Sequence, residues 1–153
     1  MHAALRRRAG RRHGPPWHAD RMPASALVEE ATRRSGLVWV RPEGAAQARA
    51  VWHAWHDGCA WLVVGGQEQV LPGIETAVRA QVLVRSHERR SGLLVEWTAD
   101  VERVAPGTPE WEAAVVVLHA ERLNGPDGEE QPQRWARESI VLRLRPTGEE
   151  RRP

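Results

Sequence analysis

The stretch AVWHAWHDGCAWLVVGG, residues 50–66, decides how this chain folds. Val51 to His56 and Ala60 to Val64 are two β-prone runs, and Asp57-Gly58 lies between them. Asp-Gly tolerates the positive φ that a tight hairpin turn needs at its centre, so the runs read as antiparallel strands. The Ala-rich lead-in from Ala45 to Ala50 pulls the other way, toward helix. Side chains three apart on a strand point to opposite faces, so His53 and His56 do not form a two-histidine metal site.

On the N-terminal side, Ser25 is a candidate cap for a short amphipathic helix carrying Leu27, Val28 and Ala31 and stopping at Ser35-Gly36. Leu37 to Arg41 then reads as a first strand, ended by Pro42. On the C-terminal side, Ala80 to Ser86 reads as a strand that opens into a loop at residues 87–91. Gly92 to Val104 alternates most cleanly: Leu93, Val95, Trp97, Ala99 and Val101 face one way, Glu96, Thr98, Asp100 and Glu102 the other. That is a long antiparallel strand with one wet face. Thr108 caps a helix with Pro109 at its first position, Glu110 and Glu112 at its positive end, and a stripe of Trp111, Ala114, Val115 and Leu118. Asn124-Gly125-Pro126 ends it. A polar segment from Asp127 to Pro132 leads to a short basic turn, Arg134 to Arg137, and Ile140 to Arg145 forms a last strand terminated by Pro146. Without strand–helix–strand alternation, the expectation is a mainly β fold. It is an antiparallel split barrel of about six strands, with helices at its ends and one long helix before the last strand. The domain spans residues 23–147, between a disordered Arg-rich tail at 1–22 and a polar tail at 148–153.

Composition excludes several chemistries. The 153 residues include 22 basic side chains, all Arg, and 8 aromatic ones, all Trp. No Schiff-base or P-loop lysine and no tyrosine acid is available. A single cysteine, Cys59, allows no internal disulfide, CxxC pair or thiolate zinc cage, and reads as an idle buried thiol. The net charge is +2, yet residues 1–21 carry six Arg and one Asp, so the rest is mildly acidic. Basicity therefore resides in the tail, and nucleic acid is not an expected partner of the domain. An arm for nucleic acid or anionic lipid is the alternative reading of residues 1–22; an extension upstream of Met22 is the plain one. No apolar run of signal-peptide or membrane-spanning kind occurs, so the expected location is cytoplasmic. His119-Ala120-Glu121 matches the HxE of zinc deaminases but lacks the cysteines that chemistry requires. No HExxH, GxSxG, GxGxxG or P-loop is present.

What remains is Arg and Trp near loops, plus Gly65-Gly66-Gln67-Glu68-Gln69. Arg offers planar permanent donors for phosphate, glycines let backbone amides approach an anion, and Trp offers a flat surface for a heterocycle. Arg85 stands out, because it ends a strand beside Ser86, where a guanidinium and a hydroxyl together suit a phosphate.

The order SGLVWV (35–40), VWHAWHDG (51–58), WLVVGGQEQVLPG (61–73), VLVRS (82–86), PEWEAAVVVLHAERLN (109–124) and RWARESIVLRLRP (134–146) resembles small actinobacterial proteins of the pyridoxamine 5′-phosphate oxidase-like family. The resemblance covers roughly residues 24–146 and rests on the order and spacing of individually weak motifs. It implies a split β-barrel homodimer with FMN, or in some branches F420, in a groove between subunits. Flavin-binding positions implied by it are Trp52, His53, Gly65, Gly66, Gln67, Gln69, Arg85, Ser86, Arg134 and Trp135. The chain departs from the family where a Lys or Arg often follows the third strand. Gly-Gly-Gln-Glu-Gln supplies no cation there, and Glu68 repels a phosphate unless Arg85 or Arg134 compensates. Three functional expectations follow: a flavin-dependent oxidoreductase-like protein, a cofactor-free binding or structural homodimer, and a module acting through its basic tail.

Overall fold

The computed structural model describes residues 23–86, 92–122 and 128–153. Helix α1, Ala26–Arg34, starts where Ser25 Oγ accepts the Val28 N–H at 3.1 Å and ends at Ser35. Strand β1, Leu37–Pro42, alternates outward Leu37, Trp39 and Arg41 with buried Val38, Val40 and Pro42. Strands β2, Arg49–Trp52, and β3, Ala54–His56, follow, then β4, Cys59–Val64, β5, Arg79–Arg85, and β6, Leu93–Val104. Helix α2, Pro109–Glu121, a 3-10 turn at Gly128–Glu130, helix α3, Gln131–Glu138, and strand β7, Ile140–Arg151, complete the chain.

All seven strands form one antiparallel sheet in the order β2-β1-β5-β6-β7-β4-β3. The expected hairpin is present between β3 and β4, with Asp57 at φ 52° and Gly58 at φ 70°. Its first arm is not a single strand. Val51 pairs with Val38 of β1, whereas Ala54 pairs with Trp61 of β4, at opposite ends of the sheet order. His53 alone separates the two, so the sheet curls until its ends meet there. This division accounts for seven strands where about six were expected.

Two apolar cores result. Inside the curl, Val38, Val40, Val82, Val84, Val95, Trp97, Leu142 and Leu144 pack with Val28 and Ala31 of α1. Outside it, Trp61, Val63 and Val141 pack with Trp111, Ala114, Val115 and Leu118 of α2 and Trp135 of α3. The apolar stripe expected for α2 is thus the buried one, and Thr108 Oγ1 accepts the Trp111 N–H at 3.3 Å. Its expected Asn124-Gly125-Pro126 stop lies outside the described residues.

Three boundaries differ from the sequence reading. The basic turn at 134–137 is part of an eight-residue helix. β7 does not stop at Pro146, and residues 148–151 are strand rather than tail. Pro146 is tolerated because the β6–β7 register shifts between Trp97 and Ala99, and proline's missing N–H costs nothing at such a bulge. Thr147 Oγ1 donates to Thr98 O at 3.1 Å there, and pairing resumes between Glu150 and Trp97. The second face of β6 is polar and partly exposed, as its alternation implies, and its acids are ion-paired. Glu102 accepts from Arg143 and Arg145 of β7, Glu96 pairs with Arg151 and Asp100 with Arg79.

Candidate functional site

The curl brings most of the implied positions to one place, where the β2–β3 junction, the segment after β4, and helices α2 and α3 converge. Glu68 is its centre. The carboxylate is buried and accepts from Arg134 Nη2, Trp135 Nε1 and Arg122 Nε, each at 2.9 Å. Burial alone would push its carboxyl pKa up, but the hydrogen bonds from Trp135, Arg134 and Arg122 outweigh it and hold the pKa below the ordinary value. Glu68 is therefore an anion supplied by the chain itself.

The surrounding residues serve this arrangement. Arg134 is 3% exposed and Trp135 is fully buried, so neither faces a ligand. Gly65 and Gly66 have φ of 81° and 63°, which turns the chain after β4 so that Glu68 points inward. A Cβ at Gly66 would lie 3.0 Å from both Glu138 O and Ser139 Oγ, so that glycine admits a neighbouring segment rather than an anion. Gln69 spends its amide on the backbone of Trp52, accepting from its N–H and donating to its carbonyl, each at 2.9 Å. Trp52 is half-buried, with its ring 6.2 Å from that of Trp135 and the Arg122 guanidinium 5.7 Å above it. His53 is buried, and its Nε2 donates to Ser35 O at 2.7 Å. Burial lowers its pKa against the opposing effects of the Ser35 bond and Glu121. Gln67 is exposed.

The expected phosphate cradle at 65–69 and 134–135 therefore does not fit a phosphate. Its donors converge on Glu68, and the compensation expected from Arg134 is directed at the carboxylate itself. Repulsion of a second anion in a dehydrated place is large.

Arg85 and Ser86 lie elsewhere. Val82 and Val84 point into the core while Arg85 is exposed, as the alternation of β5 requires. Its guanidinium sits 5.5 Å from the ring centroid of Trp39 on β1. Ser86 N–H donates to Gly92 O at 2.7 Å, which joins the two ends of the β5–β6 connection. Trp39 pairs with Leu83 and Leu37 with Trp52, so the register carries Arg85 to the level of Leu37, two strand spacings or about 10 Å from Trp52. The outer face of β1 and β5 is the half of the sheet that α2 does not cover, and Leu37 and Trp39 are 48% and 38% exposed on it.

Two residues went unassigned in the sequence reading. Arg122 lacks a local signal, because its contact with Glu68 spans 54 positions. Trp39 had one: it shares its face with Arg41, as alternation along β1 requires. Three cavities of about 590, 320 and 260 Å³ open beside Glu43–Ala45 and beside Gln81 and Thr98. None of the three is lined by a residue implied for flavin. Among the described residues no group of three or more His, Cys, Asp or Glu is placed to hold a metal, and no helix is long and apolar enough to cross a membrane.

A mainly antiparallel, curled sheet with helices on its outer face and at its end is the split β-barrel, the fold of pyridoxamine 5′-phosphate oxidase-like proteins. No family model and no curated protein matches the sequence. Solved structures do. HutZ, the heme storage protein of Vibrio cholerae, superposes with a TM-score of 0.61 at 8% identity over 86% of this chain and 95% of its own. An F420 reductase gives 0.53 at 19% identity over 80% and 94%. A candidate pyridoxamine 5′-phosphate oxidase from Listeria innocua gives 0.55 at 14% identity over 82% and 94%. At such identities the likeness is one of fold.

Proposed function

We propose that this chain is a homodimeric split-barrel protein that binds a planar, anionic aromatic ligand of the flavin class on the outer face of β1 and β5. The observation that carries the reading is Arg85 held over the exposed ring of Trp39 on the uncovered half of the sheet. An indole offers a ring its flat face, and a guanidinium offers a phosphate or ionised ring two parallel donors. A second copy against this face supplies the other wall of the groove. Neighbours named as an F420 reductase and as a candidate pyridoxamine 5′-phosphate oxidase support a flavin-type ring over other heterocycles. The flavin, when bound, supplies the hydride chemistry. The chain's part is to orient the ring with Trp39 and hold its anionic end with Arg85.

The visible spectrum of freshly purified protein, followed by titration with FMN, F420 and heme, tests this. Flavin absorbance, or saturable binding of FMN or F420 that weakens in Arg85→Ala, is expected. Preferential heme binding, or no binding of any of the three, would sink it. The latter outcome selects the second reading, a cofactor-free homodimer, which the carboxylate filling the cradle favours.

A further inference from the structure

We infer that Arg122, Arg134 and Trp135 form an oxyanion-binding site of this barrel which Glu68 occupies as a built-in ligand. The site consequently excludes external phosphate, and it takes a small carboxylate once the Glu68 side chain is shortened. This goes beyond the ring site at Trp39 and Arg85 and does not rest on it.

The donor set is the argument. Three N–H groups from two different helical segments reach two oxygens of one carboxylate, each at 2.9 Å. Arg134 and Trp135 are adjacent in α3, and Arg122 caps α2, so the anion joins the end of one helix to the body of the next. None of these donors pairs with Glu68 through local sequence, because the separations are 54, 66 and 67 positions. Glu68 enters from a segment without regular structure, turned inward by two consecutive positive-φ glycines and closed by the Gly65 N–H donating to Gln69 O at 3.0 Å. Two guanidinium-bearing residues and an indole N–H around a dehydrated oxyanion are what a bound carboxylate or phosphate demands. Here the anion is covalently attached, so it is present at very high effective concentration and a free competitor does not displace it.

The part of Glu68 beyond Cβ is chemically acetate. Glu68→Ala deletes that fragment and leaves its space, which makes acetate the matched probe and inorganic phosphate the larger one. Thermal unfolding of wild type and Glu68→Ala is followed in sodium chloride, acetate and phosphate at equal ionic strength and pH 7. Glu68→Ala in chloride should lose on the order of 10 °C in Tm, because it removes the buried carboxylate to which Arg122, Arg134 and Trp135 all donate. Acetate at ten times its Kd should return about 4 °C, saturably, while wild type shows no difference among the salts. The double variant Glu68→Ala/Arg134→Ala should lose the acetate response. If Glu68→Ala does not fold in chloride, refolding in acetate supports the site, and failure in both salts overturns it. A wild type stabilised by phosphate as strongly as the variant, or an acetate effect that survives loss of Arg134, also overturns it. None of these outcomes depends on whether a ring binds at Trp39.

Discussion

His53 carries more of this barrel than its single position suggests. It is the one residue between β2 and β3, the two ends of the sheet order, and its Nε2 proton is committed to Ser35 O. A carbonyl only accepts, so the neutral ring leaves Nδ1 as a bare acceptor, buried and without a hydrogen-bond partner among the described residues. Protonating that nitrogen places a cation in an apolar interior, and the folded-state pKa lies below the ordinary 6.5. Above about pH 6.5 both folded and unfolded chains hold a neutral ring, and this residue gives no pH dependence. As pH falls below that value the unfolded chain takes up a proton that the folded chain refuses. Stability should therefore decline at up to about 1.4 kcal/mol per pH unit until the folded-state pKa is reached. His53→Gln keeps a donor toward Ser35 and removes the titration. Urea midpoints of wild type and variant between pH 7.5 and 5 should diverge in slope, and parallel lines would refute the assignment. Arg85 is the opposite case, exposed and resting on an indole. Arg85→Ala should weaken FMN or F420 binding by about 1.5–3 kcal/mol, the scale of a bond to a charged group. It should cost the fold no more than about 1 kcal/mol, the worth of an exposed cation–aromatic contact. Calorimetric titration with equal affinities would remove Arg85 from the site.

Each element's legibility follows from how local its determinants are. The Asp57-Gly58 hairpin, the Thr108 cap with its Trp111–Leu118 stripe, and the inward Val95-Trp97-Ala99 alternation are written within a few residues and are found where expected. The division of residues 49–56 is not local. It depends on β1 and β4 pairing with different halves of one β-prone run, which no periodicity reveals. Pro146 misled for a related reason: a proline reads as a stop unless the partner strand's register shift is known. Of the implied site, the gathering of Trp52, Gly65–Gln69 and Arg134-Trp135 follows from the fold, but the sense of Glu68 does not. A carboxylate among arginines can repel a ligand or replace one, and the direction of its side chain decides. That direction is set by the turn after β4, which gives a test at this scale. Gly66→Ala forces a Cβ into a left-handed residue 3.0 Å from Glu138 O. The cost should be about 2 kcal/mol or more, from backbone strain and crowding together. Gly36, with nothing within 4 Å and an ordinary φ, is the matched control, and Gly36→Ala should be neutral or slightly stabilising. Equal effects in urea unfolding would mean that the turn does not constrain Glu68.

At the scale of the whole molecule, the sheet is dressed asymmetrically. Its inner face is filled and closed by α1, and the outer face of β3, β4 and part of β7 lies under α2 and α3. Along β6 and β7 the outer face is a ladder of ion pairs, Glu102 with Arg143 and Arg145, and Glu96 with Arg151. Among the described residues, the outer face of β1 has neither cover. Leu37 and Trp39 are exposed on it at 48% and 38%, and Leu94 of nearby β6 at 40%. Exposed apolar side chains that cluster on one sheet face, rather than scatter singly, mark an association surface. A two-fold contact is the simplest way to cover such a face, since one patch then meets its own copy. The ion-paired strands beside it would form a polar rim of the kind that borders a protein interface. Light scattering at micromolar concentration should therefore report twice the 17.2 kDa chain mass. Leu37→Glu places a charge in the middle of the patch without touching either core, so it should yield a folded monomer with an unchanged far-ultraviolet spectrum. If the ring-binding groove is completed by the second copy, the same variant should also lose FMN or F420 binding while Arg85 is intact. A wild type that runs as a clean monomer, or a monomeric Leu37→Glu that binds the ring as well as the wild type, would count against a groove shared by two subunits.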